Sequence, residues 1–180
     1  MPHSDAPKPG TELGVHFSEC FGCGDEADAG LQLRSTVGEQ FVHSRFTVTA
    51  AHQGAPGLAH GGLLACAFDE ALGSTVGNLM RRPAVTAKLE TDFRRPVPVG
   101  STLYIAAKLD GLAGRKIYVS ADGHLDAEDG PVAVSARALF IVVGFDHFST
   151  HGDPEALEKL AAQHEKNQRE RSERSWEINP

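Results

Sequence analysis

The chain has 180 residues, enough for one domain with a real core and too few for two of ordinary size. Its 17 Lys and Arg against 24 Asp and Glu give a net charge of −7, which argues against a nucleic-acid surface or a polybasic membrane anchor. No apolar run reaches the roughly 20 residues of a membrane-spanning helix. Three cysteines do not make a disulfide framework, so we expect a soluble protein of the reducing cytoplasm.

Hydrophobic periodicity predicts the order of the elements. Residues 1–14 are polar and rich in Pro and Gly, and we expect a flexible tail there. Two strands follow at Leu31–Ser35 and Phe41–Val48, and then a helix from Gly61 to about Gly77. Four more extended runs are separated by turn residues, namely Val85–Val97, Thr102–Leu109, Ile117–Asp126 and Val132–Val143.

This order predicts an α+β fold. Consecutive strands with short links pair antiparallel, because a parallel neighbour would need a long crossover. One long helix would then lie against, and be wrapped by, an antiparallel sheet of five or six strands, within a domain of residues 15–150. Residues 151–180 are expected to form a charged C-terminal helix or tail, with Asp153 as the N-cap of the helix.

The two sides of the predicted helix differ in residue size. The side that should pack on the sheet carries Leu64, Phe68, Ala71 and Thr75. The opposite side collects small residues and one carboxylate, namely Gly62, Ala65, Cys66, Asp69, Gly73 and Gly77. Each glycine costs roughly 1 kcal/mol relative to Ala in a helix, so this side should face a partner helix or line a narrow crevice. Since an unpaired buried carboxylate is costly, Asp69 should face a partner or a substrate channel.

The start of the helix has the chemistry of an anion site. His60-Gly61-Gly62 places bare backbone where the first N–H groups lack helical partners, and the helix dipole favours developing negative charge there. Asp69 lies seven residues past Gly62, about 10 Å along the axis, and its side chain leans back toward the helix start. An N–H donor and a base on two sides of one reacting group suit hydrolysis of an acyl compound.

These residues resemble a known family. Gly57-Leu-Ala-His60-Gly61-Gly62, with Asp69 nine positions after the histidine, is similar to the signature of hotdog-fold acyl-CoA thioesterases. The similarity is greatest to the PaaI-like branch of the 4-hydroxybenzoyl-CoA thioesterase superfamily. It covers roughly residues 15–145 and extends to Val85-Thr86-Ala87, Asp92-Phe-Arg-Arg-Pro-Val97, Cys20-Phe-Gly-Cys23-Gly and Gly30-Leu-Gln-Leu33.

The resemblance implies hydrolysis of an acyl-CoA thioester to a free acid and CoA, by a homodimer or homotetramer that needs no cofactor. By position, the Gly62 N–H would polarise the thioester carbonyl, and Asp69 would be the general base on water or the nucleophile. Thr86, supplied by a neighbouring subunit, would help to hold the water or the carboxylate. His60 would shape the helix start.

Two positions depart from the family pattern. Many relatives carry Asn or Gln about six residues before the histidine; this chain has Gly54 there, and we expect the adjacent Gln53 to supply the amide. Strict alternation along the strand after the helix places Thr86 on the face of Lys88, Glu90 and Asp92, away from Val85, Ala87, Leu89 and Phe93. That orientation suits a residue acting across an interface.

Further substrate contacts are expected from Gly61 and from basic side chains. Arg94, Arg95, Arg115 and Lys116 are cationic residues in an acidic chain. Some of them would contact the phosphates of CoA, where Arg suits bidentate pairing.

A cysteine pair raises the question of a metal. His16-x3-Cys20-x2-Cys23 resembles part of a zinc site, because a Cys-x2-Cys turn can hold two ligands of a tetrahedral ion. No second Cys-x2-Cys exists, and a fourth ligand would have to be His43, His52 or Asp25. Our interpretation is therefore packed or free thiols, with no metal.

Three residues of the helix bear on other possible sites and functions. Glu70, about 100° round the helix from Asp69, is expected at an interface or in solvent. Cys66 lies on the crevice side without a histidine at a triad-like position, which disfavours a cysteine nucleophile. An enoyl-CoA hydratase on this fold would pair the Asp with a His five positions on, where this chain has Ser74. A non-catalytic acyl-CoA or lipid-binding module is the remaining alternative.

Overall fold

The computed structural model describes residues 2–162 and residue 165. The chain divides into one compact unit that ends at Val143 and a second that begins at Gly144. The elements of the first unit, in chain order, are β1 (Glu12–Leu13), β2 (Arg34–Val37), β3 (Val42–Thr47), a short 3-10 helix (Ala50–His52), β4 (Gln53–Ala55), β5 (Leu58–Ala59), α1 (Gly61–Met80), β6 (Ala84–Phe93), β7 (Thr102–Ala113), β8 (Lys116–Leu125) and β9 (Val132–Val142).

Seven of the strands form one antiparallel sheet in the order β1-β2-β3-β7-β8-β9-β6. The six predicted strands are all present in it, so the predicted α+β fold with one long helix on an antiparallel sheet is confirmed. The seventh strand, β1, comes from the segment expected to be a tail, where Glu12 pairs with Thr36 and Leu13 with Ser35. Two residues are too few to show alternation, which is why the sequence did not reveal this strand.

The helix α1 packs on the sheet through the side that the sequence predicts. Leu64, Phe68, Ala71 and Thr75 are all buried. The ring of Phe68 covers Gly123 of β8 so closely that a Cβ there would lie 2.7 Å from Cζ of the ring. The opposite side, with Gly62 and Gly77 exposed and the other small residues partly so, is only partly covered by the residues that the structure describes.

Both ends of α1 are capped. His60 is the N-cap, and the helix ends at Met80 because Arg81 adopts a left-handed conformation (φ 53°), with its N–H donating to the carbonyl of Gly77. The helix therefore runs three residues beyond its predicted end. None of the helices in the described part of the chain combines the length and the apolar character needed to cross a bilayer.

The second unit contains α2 (Phe145–His151) and a helical stretch at residues 154–162. Asp153 caps that stretch as predicted, since its Oδ1 accepts a hydrogen bond from the Glu155 N–H at 2.9 Å. The rest of the predicted C-terminal helix or tail, residues 163–164 and 166–180, lies outside the described residues.

Candidate active site

The loop before α1 fixes the helix start. The His60 N–H donates to the carbonyl of His52 at 2.8 Å, and His52 is itself buried. The Gly62 N–H donates to Nδ1 of His60 at 2.9 Å, so the His60 side chain closes the first turn as its cap. His60 therefore does shape the helix start, and it does so by accepting the same N–H that was predicted to polarise the substrate.

Gln53 is engaged at both ends of its amide. Its Nε2 donates to the carbonyl of Ala50 at 3.0 Å, and its Oε1 accepts from the Gly57 N–H at 2.8 Å. Gly54, where relatives carry an amide, lies against the histidine cap: a Cβ there would lie 2.7 Å from Cα of His60. The bare backbone at 54 thus permits the close approach of His60, while the Gln53 amide holds the loop.

Asp69 and Thr86 meet within one chain. The Thr86 hydroxyl donates to Oδ1 of Asp69 at 2.8 Å. The prediction that Thr86 reaches the carboxylate from a neighbouring subunit is wrong in this respect, because its own subunit already provides the contact. Asp69 Oδ2 accepts no hydrogen bond from the part of the chain that the structure describes, so one carboxylate oxygen remains open.

A β-bulge explains why strict alternation misplaced Thr86. Thr86 lies opposite Phe140 of β9, but Lys88 lies opposite Leu139, so Ala87 is an extra residue in β6. One extra residue reverses the alternation beyond it. Thr86 consequently shares the face toward α1 with Leu89 rather than the outer face with Lys88.

The basic residues fall into two separate pairs. Lys116 lies opposite Ile141, which lies opposite Val85, so Arg115 and Lys116 are near the start of β6. Arg94 and Arg95 follow its end, about 25 Å from Thr86 at roughly 3.3 Å per residue. The two pairs of basic residues therefore lie near opposite ends of β6.

One pair lies beside the helix start. A cavity of about 370 Å³ is lined by Gly61, Leu64, Phe93, Arg94 and Arg95, among others. A Cβ on Gly61 would be 3.5 Å from the Phe93 ring, so the bare helix start lies next to an aromatic wall. The guanidinium of Arg94 is itself engaged, since its Nε donates to Ser135 Oγ at 3.0 Å. The cavity unites three of the predicted substrate-binding residues. In the second pair, Arg115 Nε donates to the carbonyl of Val142 at 2.8 Å.

A second polar cluster lies between α1 and the loop of residues 16–24, called the N-terminal loop below. His16, Cys20, Cys23 and Glu70 place their potential ligand atoms within 4.8 Å of one another. The prediction that Glu70 faces an interface or solvent is wrong, because the loop covers it and leaves its side chain 13% exposed. No sequence pattern marks this contact, which joins Cys20 to a residue 50 positions away. Gly22, between the two cysteines, is consistent with it, because an added Cβ there would overlap the Glu70 carboxylate.

The sulfur atoms of this cluster have unequal proton affinities. A hydrogen bond with Cys23 lowers the pKa of Cys20 to about 3 and raises the pKa of Cys23. Hydrogen bonds with Cys20 and then Glu70 raise the pKa of His16 to about 10. Negative charge on Cys20 is therefore stabilised by an imidazolium and a neighbouring thiol. By contrast, burial, followed by the charge of Asp69, raises the pKa of the Cys66 thiol.

Comparison with known proteins identifies the region that holds the helix start and the carboxylate. Residues 56–131 match the family model described as the thioesterase superfamily. A bovine protein, acyl-coenzyme A thioesterase THEM4, is 39% identical over 98 residues, which are 54% of this chain and 39% of that protein. This chain spans about two fifths of the length of the curated relatives that it matches.

Solved structures share the fold. A thioesterase superfamily protein, RHA08564, is 29% identical with a TM-score of 0.59, covering 71% of this chain and 63% of that one. The Escherichia coli PaaI protein from the phenylacetic acid degradation operon is 21% identical with a TM-score of 0.59, covering 67% of this chain and 86% of that one. The resemblance to hotdog-fold thioesterases is thereby confirmed.

Proposed function

We propose that this chain, whose residues 56–131 carry a thioesterase-superfamily region on a hotdog fold, hydrolyses acyl-CoA thioesters to a carboxylic acid and CoA. The observation that carries the proposal is the hydrogen bond between Thr86 and Asp69 on the small-residue side of α1. A single carboxylate is fixed there by a hydroxyl and keeps an open oxygen toward a surface that small residues leave accessible. This is the arrangement a general base needs.

The proposed reaction uses Asp69 as the general base. Oδ2 takes a proton from water as the water oxygen bonds to the thioester carbonyl carbon. The tetrahedral intermediate then collapses, the carbon–sulfur bond breaks with its electron pair on sulfur, and the proton passes from Asp69 to the departing thiolate. Because a thiol is a far better acid than an alcohol, this leaving group requires little protonation and no metal ion. Direct attack by Asp69 as a nucleophile is the variant of this mechanism that remains open.

The helix start is proposed as the site that stabilises the oxyanion. Its first N–H groups and the positive end of the α1 dipole favour the charge that develops on the carbonyl oxygen. The Gly62 N–H now donates to His60 Nδ1, so the carbonyl oxygen would replace the imidazole nitrogen as its acceptor. The Phe93 and Arg95 side chains beside the helix start would receive the acyl-CoA.

One subunit alone does not suit this chemistry. Gly62 and Asp69 of the same helix are seven residues, about 10 Å, apart along the axis, whereas base, water and carbonyl must lie within successive hydrogen-bond and attack distances of about 3 Å. We therefore propose a homodimer in which Asp69 and Thr86 of one subunit act with the partner's Gly62. Two features support it: the only partly covered small-residue side of α1, and the ten-residue strand β6 at the sheet edge, ending in Phe93 with 53% exposure.

Subunit mixing tests the shared site. Asp69→Asn removes the base, and Gly62→Pro removes the N–H donor at a helix position that tolerates proline. If each site combines both subunits, a co-expressed mixture of the two inactive variants regains about a quarter of wild-type activity, since half of the dimers hold one intact site. If each subunit holds a complete site, the mixture stays inactive. Light scattering that shows an active monomer would rule out the dimer.

The activity itself is tested by thiol release. Short-chain, long-chain and aromatic acyl-CoAs are incubated with the protein, and free CoA is measured with a thiol reagent that changes colour. We expect turnover of at least one class, abolished by Asp69→Asn. Tight binding of acyl-CoA without turnover would instead favour the non-catalytic binding module.

The location that we predict for this protein remains the cytoplasm.

A further inference from the structure

The N-terminal loop has the backbone of a metal-binding turn. From Cys20 to Gly24 the chain turns back on itself, with the Gly24 N–H donating to the carbonyl of Cys20 at 2.7 Å. The Gly22 N–H points at Sγ of Cys20 at 3.3 Å, a contact that stabilises a thiolate. A Cβ on Gly24 would overlap the carbonyl oxygens of Ser18 and Cys20, so this turn requires glycine.

The loop is held in this position independently of any ligand. The Leu31 N–H donates to the carbonyl of Phe21 at 2.8 Å, and the Leu33 N–H to that of Gly22 at 2.9 Å. Arg34 Nη1 donates to the carbonyl of Cys23 at 2.8 Å. Both cysteines are thereby presented to α1 by a turn whose backbone is anchored to the chain that leads into β2. Preorganisation of this kind lowers the conformational cost of binding a ligand.

The four side chains are spaced like the corners of a tetrahedron. Zinc lies about 2.3 Å from sulfur and about 2.0–2.2 Å from nitrogen or oxygen, so the corners should be about 1.6 times farther apart, roughly 3.3–3.8 Å. Cys23 Sγ is 3.0 Å from His16 Nδ1, and Cys20 Sγ is 3.5 Å from Glu70 Oε2. His16 Nδ1 is 3.4 Å from Glu70 Oε1. The four potential ligand atoms lie within 4.8 Å of one another, and the short contacts of Glu70 use both of its oxygens. Side-chain shifts of about 1 Å would complete the coordination.

We propose that His16, Cys20, Cys23 and Glu70 bind a structural zinc ion. Two sulfurs, one imidazole and one carboxylate are the donors that zinc takes in a four-coordinate site. All four positions are filled by protein, which is the composition of a structural site rather than a catalytic one. When both cysteines bind as thiolates, the ion balances their charge and that of the Glu70 carboxylate.

The proposal revises both the expectation of packed thiols and the expected ligands. His43, His52 and Asp25 do not belong to the cluster among the described residues. The fourth ligand is Glu70, which comes from α1 and stands next to the proposed general base. The ion would thus fasten the loop of residues 16–24 to the central helix.

Zinc content and cobalt spectroscopy test the site on the whole chain. Protein expressed with zinc and freed of loose metal should carry about one zinc per chain. Replacement by Co²⁺ should give the visible bands of a tetrahedral ion and a thiolate-to-cobalt charge-transfer band. Both should be lost in Cys20→Ser and Cys23→Ser and should persist in the matched variants Cys66→Ser and His43→Ala.

Several results would overturn the proposal. These are metal-free protein that shows no cobalt bands, bands that survive both cysteine replacements, or a Cys20–Cys23 disulfide in protein purified from a reducing cytoplasm. Should the cysteine variants fail to fold, the wild type gives the answer through titration with a mercurial reagent. Zinc release that is complete when two thiols per chain have reacted supports the site; thiol modification without zinc release contradicts it.

Discussion

Two carboxylates that are neighbours in sequence occupy opposite environments on α1. Asp69 lies on the small-residue side of the helix, where the Thr86 hydroxyl holds one of its oxygens. Glu70, about 100° farther round the helix, lies beneath the N-terminal loop, where the Cys20 thiol and His16 engage both of its oxygens. The helix thus sends one acid toward a surface that a substrate can reach and the other into a closed cluster.

The number of polar partners around each carboxylate distinguishes the chemical role of Asp69 from that of Glu70. A base must have an oxygen that can accept a proton, and Asp69 Oδ2 meets that requirement within the described residues. Each oxygen of Glu70 lies beside a sulfur or nitrogen atom, Cys20 Sγ at 3.5 Å and His16 Nδ1 at 3.4 Å, an arrangement suited to holding a fixed charge or an ion. Two adjacent carboxylates on one helix cannot therefore be treated as equivalent, and Glu70→Gln is not a neutral control for Asp69→Asn.

The largest expected effect is that of Asp69→Asn. The amide keeps the size of the side chain and an acceptor for Thr86 but cannot take a proton from water. Turnover should fall by about 10²–10⁴, mainly in kcat, because the charge acts in the transition state. Initial rates of CoA release at saturating substrate measure this. Glu90→Gln, at an exposed position of β6, is the matched control. An equal loss of turnover in that variant would show that Asp69 is not the general base.

Thr86→Ala should have the next largest effect. A hydrogen bond to a charged group is worth about 1.5–3 kcal/mol, so its loss should lower kcat by about ten- to a hundredfold. Thr86→Ser keeps the hydroxyl and should restore most of the rate, which a merely structural loss of the methyl group would not permit. Steady-state kinetics of both variants measure the contribution of the hydroxyl. An alanine variant as active as the serine variant would contradict a catalytic role for the hydrogen bond between Thr86 and Asp69.

The sequence predicts the position of Asp69 better than that of its hydrogen-bond partner Thr86. Helical periodicity places Asp69 on the small-residue side, because that side is fixed by local spacing alone. The face of Thr86 could not be predicted, since the extra residue at Ala87 reverses the alternation and no sequence pattern marks it. The six predicted strands were predictable for the opposite reason: each spans at least four residues, enough for burial to alternate along most of its length.

The environment of Glu70 lay beyond sequence reasoning for another reason. Its partners are 50 residues away in the chain, and only the path of the N-terminal loop over α1 brings them together. The Cys-x2-Cys spacing did predict two possible ligands, but the candidates for the fourth were other histidines and an aspartate. Local spacing can predict a metal-binding turn; it cannot predict which distant helix completes the site.

Glu70→Gln should affect stability more than catalysis. The amide loses the negative charge that faces His16 and the two thiols, an interaction of about 1.5–3 kcal/mol. For a chain of this size the unfolding midpoint should fall by about 3–12 °C, while kcat stays within about threefold. Thermal unfolding followed by circular dichroism measures the first quantity. A chelator should lower the midpoint of the wild type toward that of the variant, and a variant that unfolds like the wild type would place Glu70 outside the cluster.

Cys66→Ser should have the smallest effect on turnover and on zinc content. Cys66 lies between the environment of Asp69 and that of Glu70. Cys66 lies one helical turn before both acids, and its pKa is raised by burial first and then by the charges of Asp69 and Glu70. A thiol that stays protonated at neutral pH is a poor nucleophile and a poor metal ligand. Serine, similar in size, should therefore leave kcat within about twofold and the zinc content unchanged. A large loss of turnover would indicate that Cys66 is the nucleophile, in place of Asp69 or its water. A loss of zinc would indicate that Cys66 belongs to the zinc ligands, although it lies on the side of the helix that we assign to catalysis.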